Sequence, residues 1–209
     1  ACARDRFVIR DQSAQTTLGG GRVIDLFPPR RGRARADRLT MLDALDTSDH
    51  KTALAQALEL SQTGIPLDEF VATRNLATGE VADVLAANDA VVAGDGSNQL
   101  ALSPEAWSAR RDDFLTALDA FHAANPARLG PAAAQLRRSH KRFVPEPLYD
   151  ALVAALVSDG TIASDGMLLH RPDHQAGLTG DDATHWAALL PLLEENPGAP
   201  PVVHDMASS

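Results

Sequence analysis

A single cysteine, Cys2, leaves this chain no internal disulfide and no thiolate metal cluster. Aromatic residues are only 4% of its 209 residues, so any core must be aliphatic, and a 44% apolar fraction rich in Leu, Val and Ala supplies one. No apolar run approaches the roughly 18 residues that a bilayer-crossing helix needs, and no signal-peptide pattern opens the chain. These absences predict a reducing, cytoplasmic setting. Catalytic motifs are missing too. There is no G-x-x-x-x-G-K-[ST] loop to cradle nucleotide phosphates and no G-x-S-x-G elbow, and Cys2 has no obvious base beside it. No enzyme site is visible. Lysine is nearly absent, 2 against 17 arginines, a bias better explained by a GC-rich coding sequence than by function.

The opening residues carry most of the information. Residues 7–10 and 22–26 hold β-branched and apolar residues between polar and Gly-rich segments, which predicts two strands. Two strands alone are marginal in water, and nothing after Pro29 continues the pattern, so the chain is expected to begin inside a β-domain. Between the strands, Gly19-Gly20-Gly21 is expected to form a bulge or tight corner that uses glycine's freedom at positive φ. A phosphate loop is the weaker reading, because no helix N-terminus follows to supply a dipole. Pro28-Pro29-Arg30-Arg31-Gly32-Arg33 reads as a linker.

From Ala34 the apolar period becomes helical. Leu39, Leu42 and Leu45 share one spacing, and Leu54, Leu58 and Leu60 follow the N-cap candidate Ser48, with Gly64 stopping that helix. A short helix begins at Pro66, and another follows Thr78-Gly79-Glu80 with Val81, Val84 and Leu85 inward. Val91-Val92 and Leu100-Ala101-Leu102 then read as a hairpin around the Asp95-Gly96 turn. The pattern repeats about 71 residues later. Ser103 caps a long helix carrying Trp107, Phe114, Leu115, Leu118 and Phe121, and Asn125-Pro126 breaks it. Helices over 131–138 and 147–157 and a hairpin around Ser164-Asp165-Gly166 complete the second copy. Three helices and a two-stranded wing make a winged helix. A third copy opens at Leu178, with Trp186, Leu189, Leu190 and Leu193 on its first helix, a stop at Asn196-Pro197-Gly198 and a second helix from Pro200. The expected fold is mainly α with small β wings.

Charge divides along the same line. Residues 1–38 hold nine Arg and four Asp, whereas the rest of the chain carries a net −14 within an overall −9. A basic segment of that density marks contact with nucleic acid or an acidic partner, or is a solvated linker. Farther on, Arg128, Arg137, Arg138, Lys141 and Arg142 are the one basic cluster in the acidic part. A helix-turn-helix could aim them at phosphates; a solvated or salt-bridged face explains them as well. His170 and His174 flank Asp173, but Pro172 denies them a shared helical face, so no metal site is expected.

Arg6-Phe7-Val8-Ile9-Arg10-Asp11 with Thr17-Leu18-Gly19-Gly20-Gly21-Arg22-Val23 resembles the SelB family of bacterial selenocysteine-specific translation elongation factors. Phe27-Pro28-Pro29-Arg30-Arg31 fits that family's exit from its third, β-barrel domain, and His122 with Asn125-Pro126 and Gly130 looks like its junction inside the second winged helix. The resemblance implies tandem winged-helix domains preceded by the last strands of an elongation-factor barrel: barrel end at 1–30, winged helices at 34–102 and 103–172, and the start of a third at 178–209. It implies GTP-dependent delivery of selenocysteinyl-tRNA to a ribosome at a recoded UGA, with an mRNA hairpin as a further partner. GTP and magnesium would belong to the intact protein and not to this stretch, which should be inert as a GTPase and weak as an mRNA reader. The implied partners are the tRNA, the mRNA hairpin and the ribosome, with no membrane and a monomeric state. Arg10 and Arg22 become conceivable tRNA-backbone contacts. The competing reading is a tandem winged-helix DNA-binding regulator or chromosome-partition factor. It leaves residues 6–25 unexplained, and the segment Glu80–Asn88, where groove reading would want arginines, has no basic residue.

Overall fold

A computed structural model describes residues 3–139, 144–178 and 180–195. Cys2, Lys141, Arg142, the Asn196-Pro197-Gly198 stop and the helix expected from Pro200 lie outside them. The chain divides into two compact units, residues 1–112 with 142–155, and residues 113–141 with 156–209.

The first unit opens with an antiparallel hairpin, β1 (Arg6–Arg10) and β2 (Thr17–Arg22). These strands pair only with each other among the described residues. Both faces are exposed: Phe7 is 46%, Val8 65% and Ile9 50% accessible. Its loop is ordered by Asp11, whose carboxylate accepts from the Gln15 and Thr16 amides and from the Ser13 hydroxyl. Those bonds, Ser13's first, hold the Asp11 carboxyl below its usual pKa. The glycine run departs from expectation. Gly19, Gly20 and Gly21 lie within β2 opposite Ile9, Val8 and Phe7, and none has positive φ. Side-chain room explains two of them. A Cβ on Gly21 would strike the Phe7 ring at 2.8 Å, and one on Gly20 the Phe7 carbonyl at 2.6 Å. The irregularity falls next door, where the register slips between Ile9 and Arg10.

Helices α1 (Ala36–Leu45), α2 (His50–Leu60), α3 (Leu67–Arg74) and α4 (Thr78–Ala86) follow. Asp49, not Ser48, caps α2, accepting from the Thr52 amide at 2.7 Å and its hydroxyl at 2.6 Å. Asn75 ends α3 in the left-handed conformation (φ 53°). Ala53, Leu54, Leu58, Phe70, Val84 and Ala101 form the core, joined by Leu45, Ile65, Leu76 and Leu85. Leu39 and Leu60 keep the helical spacing yet stay exposed. The wing is β4 (Val91–Ala93) against β5 (Leu100–Leu102), and a third strand, β3 (Ile65–Pro66), pairs with β5. Asp95-Gly96 is not a two-residue turn. The loop runs from Gly94 to Gln99 through a 3-10 turn at Gly96–Asn98. Gly94 (φ 91°) lets the Asn98 carbonyl approach so closely that a Cβ would sit 2.5 Å from it.

Helix α5 (Pro104–Ala124) starts at Ser103, whose hydroxyl accepts from the Ala106 amide as expected. Within the second unit Phe114, Leu118, Leu136, Leu156, Ile162 and Leu169 are buried. Helix α6 (Ala133–Ser139), the end of α7 (Glu146–Ser158) and the hairpin β6 (Ala163–Asp165) and β7 (Leu168–His170) surround them in sequence. An Ala132–Leu168 bridge stands where β3 stands in the first copy. Each copy also has a glycine pressed on the returning strand: Gly64 against Ala101 and Gly130 against the Leu169 carbonyl. Helix α8 (Asp181–Glu195) exposes Trp186 and Leu190. Among the described residues no helix is long and apolar enough to cross a membrane.

Candidate nucleic-acid interface

Strand register sorts the hairpin's side chains, because directly opposed residues of an antiparallel pair share a face. Arg6, Val8 and Arg10 line one face with Arg22 and Gly20; Phe7 and Ile9 line the other with Gly21 and Gly19. Arg6 lies opposite Arg22, a like-charge pairing that is unfavourable unless something anionic answers it. Arg22 has one answer in place, an ion pair with Asp46. Arg10 is exposed and donates to the Ala14 carbonyl at 3.1 Å, which holds its stem along the loop.

The base of the hairpin is fastened to the helices. The Ala3 amide donates to the Thr73 carbonyl, and Arg38 pairs with Asp25 in a poorly accessible position. Residues 24–27, α1 and α3 enclose a cavity of about 260 Å³ lined partly by Ile24, Phe27, Met41 and Phe70. Its polar wall is Arg38–Asp25 and Glu69, whose carboxyl is pushed above its usual pKa by burial and then by Asp25. Arg74 closes the far side. Only 7% exposed, it donates to the Leu45 carbonyl (3.0 Å), the Thr47 carbonyl (2.6 Å) and His50 Nδ1 (2.9 Å), and its guanidinium lies 5.7 Å from the Phe70 ring centre. Burial, then the Arg4 charge, lowers its pKa while Asp49 opposes the shift.

In the second unit Arg128 is exposed and covers the Phe121 ring at 5.4 Å. Arg137 and Arg138 occupy the last turn of α6, where cations suit the helix dipole; Arg138 is exposed and Arg137 half-buried. Lys141 and Arg142 lie outside the described residues. Arg10 and Arg22 thus share one hairpin face, while Arg128, Arg137 and Arg138 share the second unit.

Sequence reasoning missed the strap formed by residues 171–177. Arg171 grips Asp119 with two bonds of 2.7 Å, which hold the Asp119 carboxyl below its usual pKa. His174 stacks flat on buried His122, ring centres 3.8 Å apart, and bonds the Arg128 carbonyl. The Gly177 amide donates to the Pro126 carbonyl. Burial first, then His174, keeps His122 below its usual pKa, against the pull of Asp119. His170 Nδ1 instead bonds the Arg171 carbonyl at 2.8 Å. His122 and His174 were both conspicuous in the sequence. Their partnership was not, because 51 residues separate them.

Two family models match this chain: "Selenocysteine-specific elongation factor, beta-barrel domain" over residues 1–30, and "Elongation factor SelB, winged helix" over residues 115–170. The chain carries SelB domains. The selenocysteine-specific elongation factor of Escherichia coli (strain K12) is 31% identical over 193 residues, which is 92% of this chain and 31% of that protein. The factor of the same name from Haemophilus influenzae is 24% identical over 205 residues, 98% of this chain and 32% of that protein. The chain therefore spans about a third of the length of these curated relatives. The barrel match covers the exposed β1–β2 hairpin, and the winged-helix match covers His122, α6, α7, β6 and β7.

Proposed function

We propose that this chain is part of a selenocysteine-specific elongation factor that delivers selenocysteinyl-tRNA to the ribosome at a recoded UGA in a GTP-dependent, cytoplasmic reaction. In this reading residues 1–30 end the barrel, 34–102 and 103–172 are the first and second winged helices, and 178–209 begin a third. The stretch is a strut that sets the distance between the tRNA, held by the barrel side, and an mRNA hairpin held beyond it. The observation that carries this is the β1–β2 hairpin. It is exposed on both faces, matches the SelB barrel, and runs through an eight-residue segment, Pro28–Arg35, into helices. A self-contained DNA-binding regulator gives no reason for such a hairpin.

Charge supports a strut over a reading head. The part beyond residue 38 carries a net −14 and repels a phosphate backbone except at local basic patches. Arg10 and Arg22 are our candidates for tRNA-backbone contacts, and Arg128, Arg137, Arg138, Lys141 and Arg142 for a secondary RNA contact. These residues do not fit a nucleotide site. No phosphate-loop motif is present, and the glycine run lies inside a strand with two of its three glycines, Gly20 and Gly21, pressed on Phe7. No step of GTP hydrolysis is assigned to them.

The test is to delete residues 34–102 from the protein that carries this chain and measure selenocysteine insertion at a UGA reporter alongside tRNA binding. A strut predicts lost insertion with tRNA binding kept. Unchanged insertion would overturn it.

A further inference from the structure

A dense run of positive charge lies in the connector between hairpin and first helix. Arg30, Arg31, Arg33 and Arg35 fall within six residues, all exposed, with no carboxylate between Asp25 and Asp37. Those two acids neutralise little of it. Asp25 is taken by Arg38, and Asp37 meets Arg35 only at 3.4 Å with both side chains largely in solvent. Arg30 and Arg31 have no hydrogen bond or ion pair among the described residues.

The connector is nevertheless a shaped turn. Arg33 Nε donates to the Pro29 carbonyl at 2.9 Å, the Arg35 amide donates to the Gly32 carbonyl at 3.2 Å, and Gly32 adopts φ 74° with the Arg35 side chain folded against it. Arg30, Gly32, Arg33, Ala34 and Arg35 line a shallow, open concavity of about 510 Å³. Guanidinium groups around such a hollow suit phosphate, whose oxygens they bond two at a time. Holding the turn in advance lowers the ordering cost of binding.

We propose that the Pro28–Arg35 turn is an RNA-backbone clasp at the root of the arm, a contact that rests on the translation-factor reading above. RNA is favoured over an acidic protein by what the turn lacks. From Pro28 to Ala34 there is no aromatic or large aliphatic side chain. Protein interfaces draw their affinity from such anchors at a desolvated centre, whereas binding to a phosphate backbone is driven by counterion release and needs only well-placed cations.

The test uses the whole chain and three probes: an unmodified tRNA transcript, a ribosomal RNA fragment and polyglutamate, titrated between about 50 and 200 mM salt. Arg30→Gln with Arg31→Gln lowers the steepness of log affinity against log salt by about two for RNA. Arg30→Lys with Arg31→Lys preserves it, and Lys51→Gln, exposed and distant in sequence, leaves it unchanged. Tighter binding of either RNA supports the clasp and identifies which RNA it holds. An unaltered slope in the double Gln variant overturns it, as does polyglutamate binding as tightly as RNA. If the intact chain binds no RNA the clasp also fails, while the strut reading is judged separately by the insertion reporter.

Discussion

Arg74→Met removes three hydrogen bonds and almost no volume, so it isolates what a buried guanidinium does for the first unit. The side chain links the last turn of α1 (Leu45) and the α1–α2 connection (Thr47) to the first residue of α2 (His50), all from the end of α3. A bond from a charged donor contributes about 1.5–3 kcal/mol when its partner stays dry. Leu45, Thr47 and His50 are only half-buried, so water recovers part of each loss. About 1 kcal/mol per bond is the appropriate scale, or about 3 kcal/mol in all. With a urea slope near 2 kcal/mol per molar, the unfolding midpoint falls by about 1.5 M. Fluorescence reads it cleanly if Trp186 is replaced by Phe, leaving Trp107 of the first unit as reporter. Arg74→Lys keeps the charge but loses the planar fork, and lands between wild type and Met. A loss below about 0.5 kcal/mol for Arg74→Met would refute the reasoning, placing the stability of the α1–α2 connection in apolar packing alone.

Because His122 is held neutral by burial, its contribution to stability is full above its ordinary pKa, near 6.5, and is lost as pH falls below that value. His174, His170 and Asp119 face the same ring, so denaturant midpoints between pH 7.5 and pH 5 are compared with those of His122→Phe, which keeps the stacking and cannot titrate; the variant flattens the profile. Gly130→Ala drives a methyl group into the Leu169 carbonyl and costs about 2–3 kcal/mol, whereas Gly79→Ala, in helix α4 with open space around it, gains up to about 1 kcal/mol. Thermal melting separates the two by sign. Asp49→Ala loses the α2 cap and lowers the unfolding midpoint whereas Ser48→Ala is neutral, which equilibrium unfolding distinguishes.

Elements whose cause is local were readable from sequence. Leucine spacing announced α2, Ser103-Pro104-Glu105 announced α5, and paired apolar runs announced both wings. Local cues failed where neighbours in the chain offered two equivalent solutions. Ser48 and Asp49 are both good caps, and the carboxylate that reaches Thr52 decides between them. Gly94-Asp95-Gly96 reads as a tight turn until the Asn98 carbonyl folds back over Gly94. Gly19–Gly21 looked like a corner because glycine signals backbone freedom, but here two of the three glycines make room for Phe7. Long-range partners left no trace. Arg74 reaching back 29 residues to Leu45, Arg171 gripping Asp119 across 52, and the two-residue β3 have no periodic signature. For the candidate interface, composition revealed the basic residues, while the hairpin register showed that Arg6, Arg10 and Arg22 share a face.

The most direct test of the whole account is a chimaera in which this chain replaces the matched stretch of the Escherichia coli factor, expressed in cells lacking their own. Radioactive selenium incorporation into a UGA-containing reporter is the readout. A barrel end joined to a spacer arm predicts selenium-labelled full-length reporter. A chimaera that folds and binds GTP but leaves the reporter terminated at UGA would contradict it.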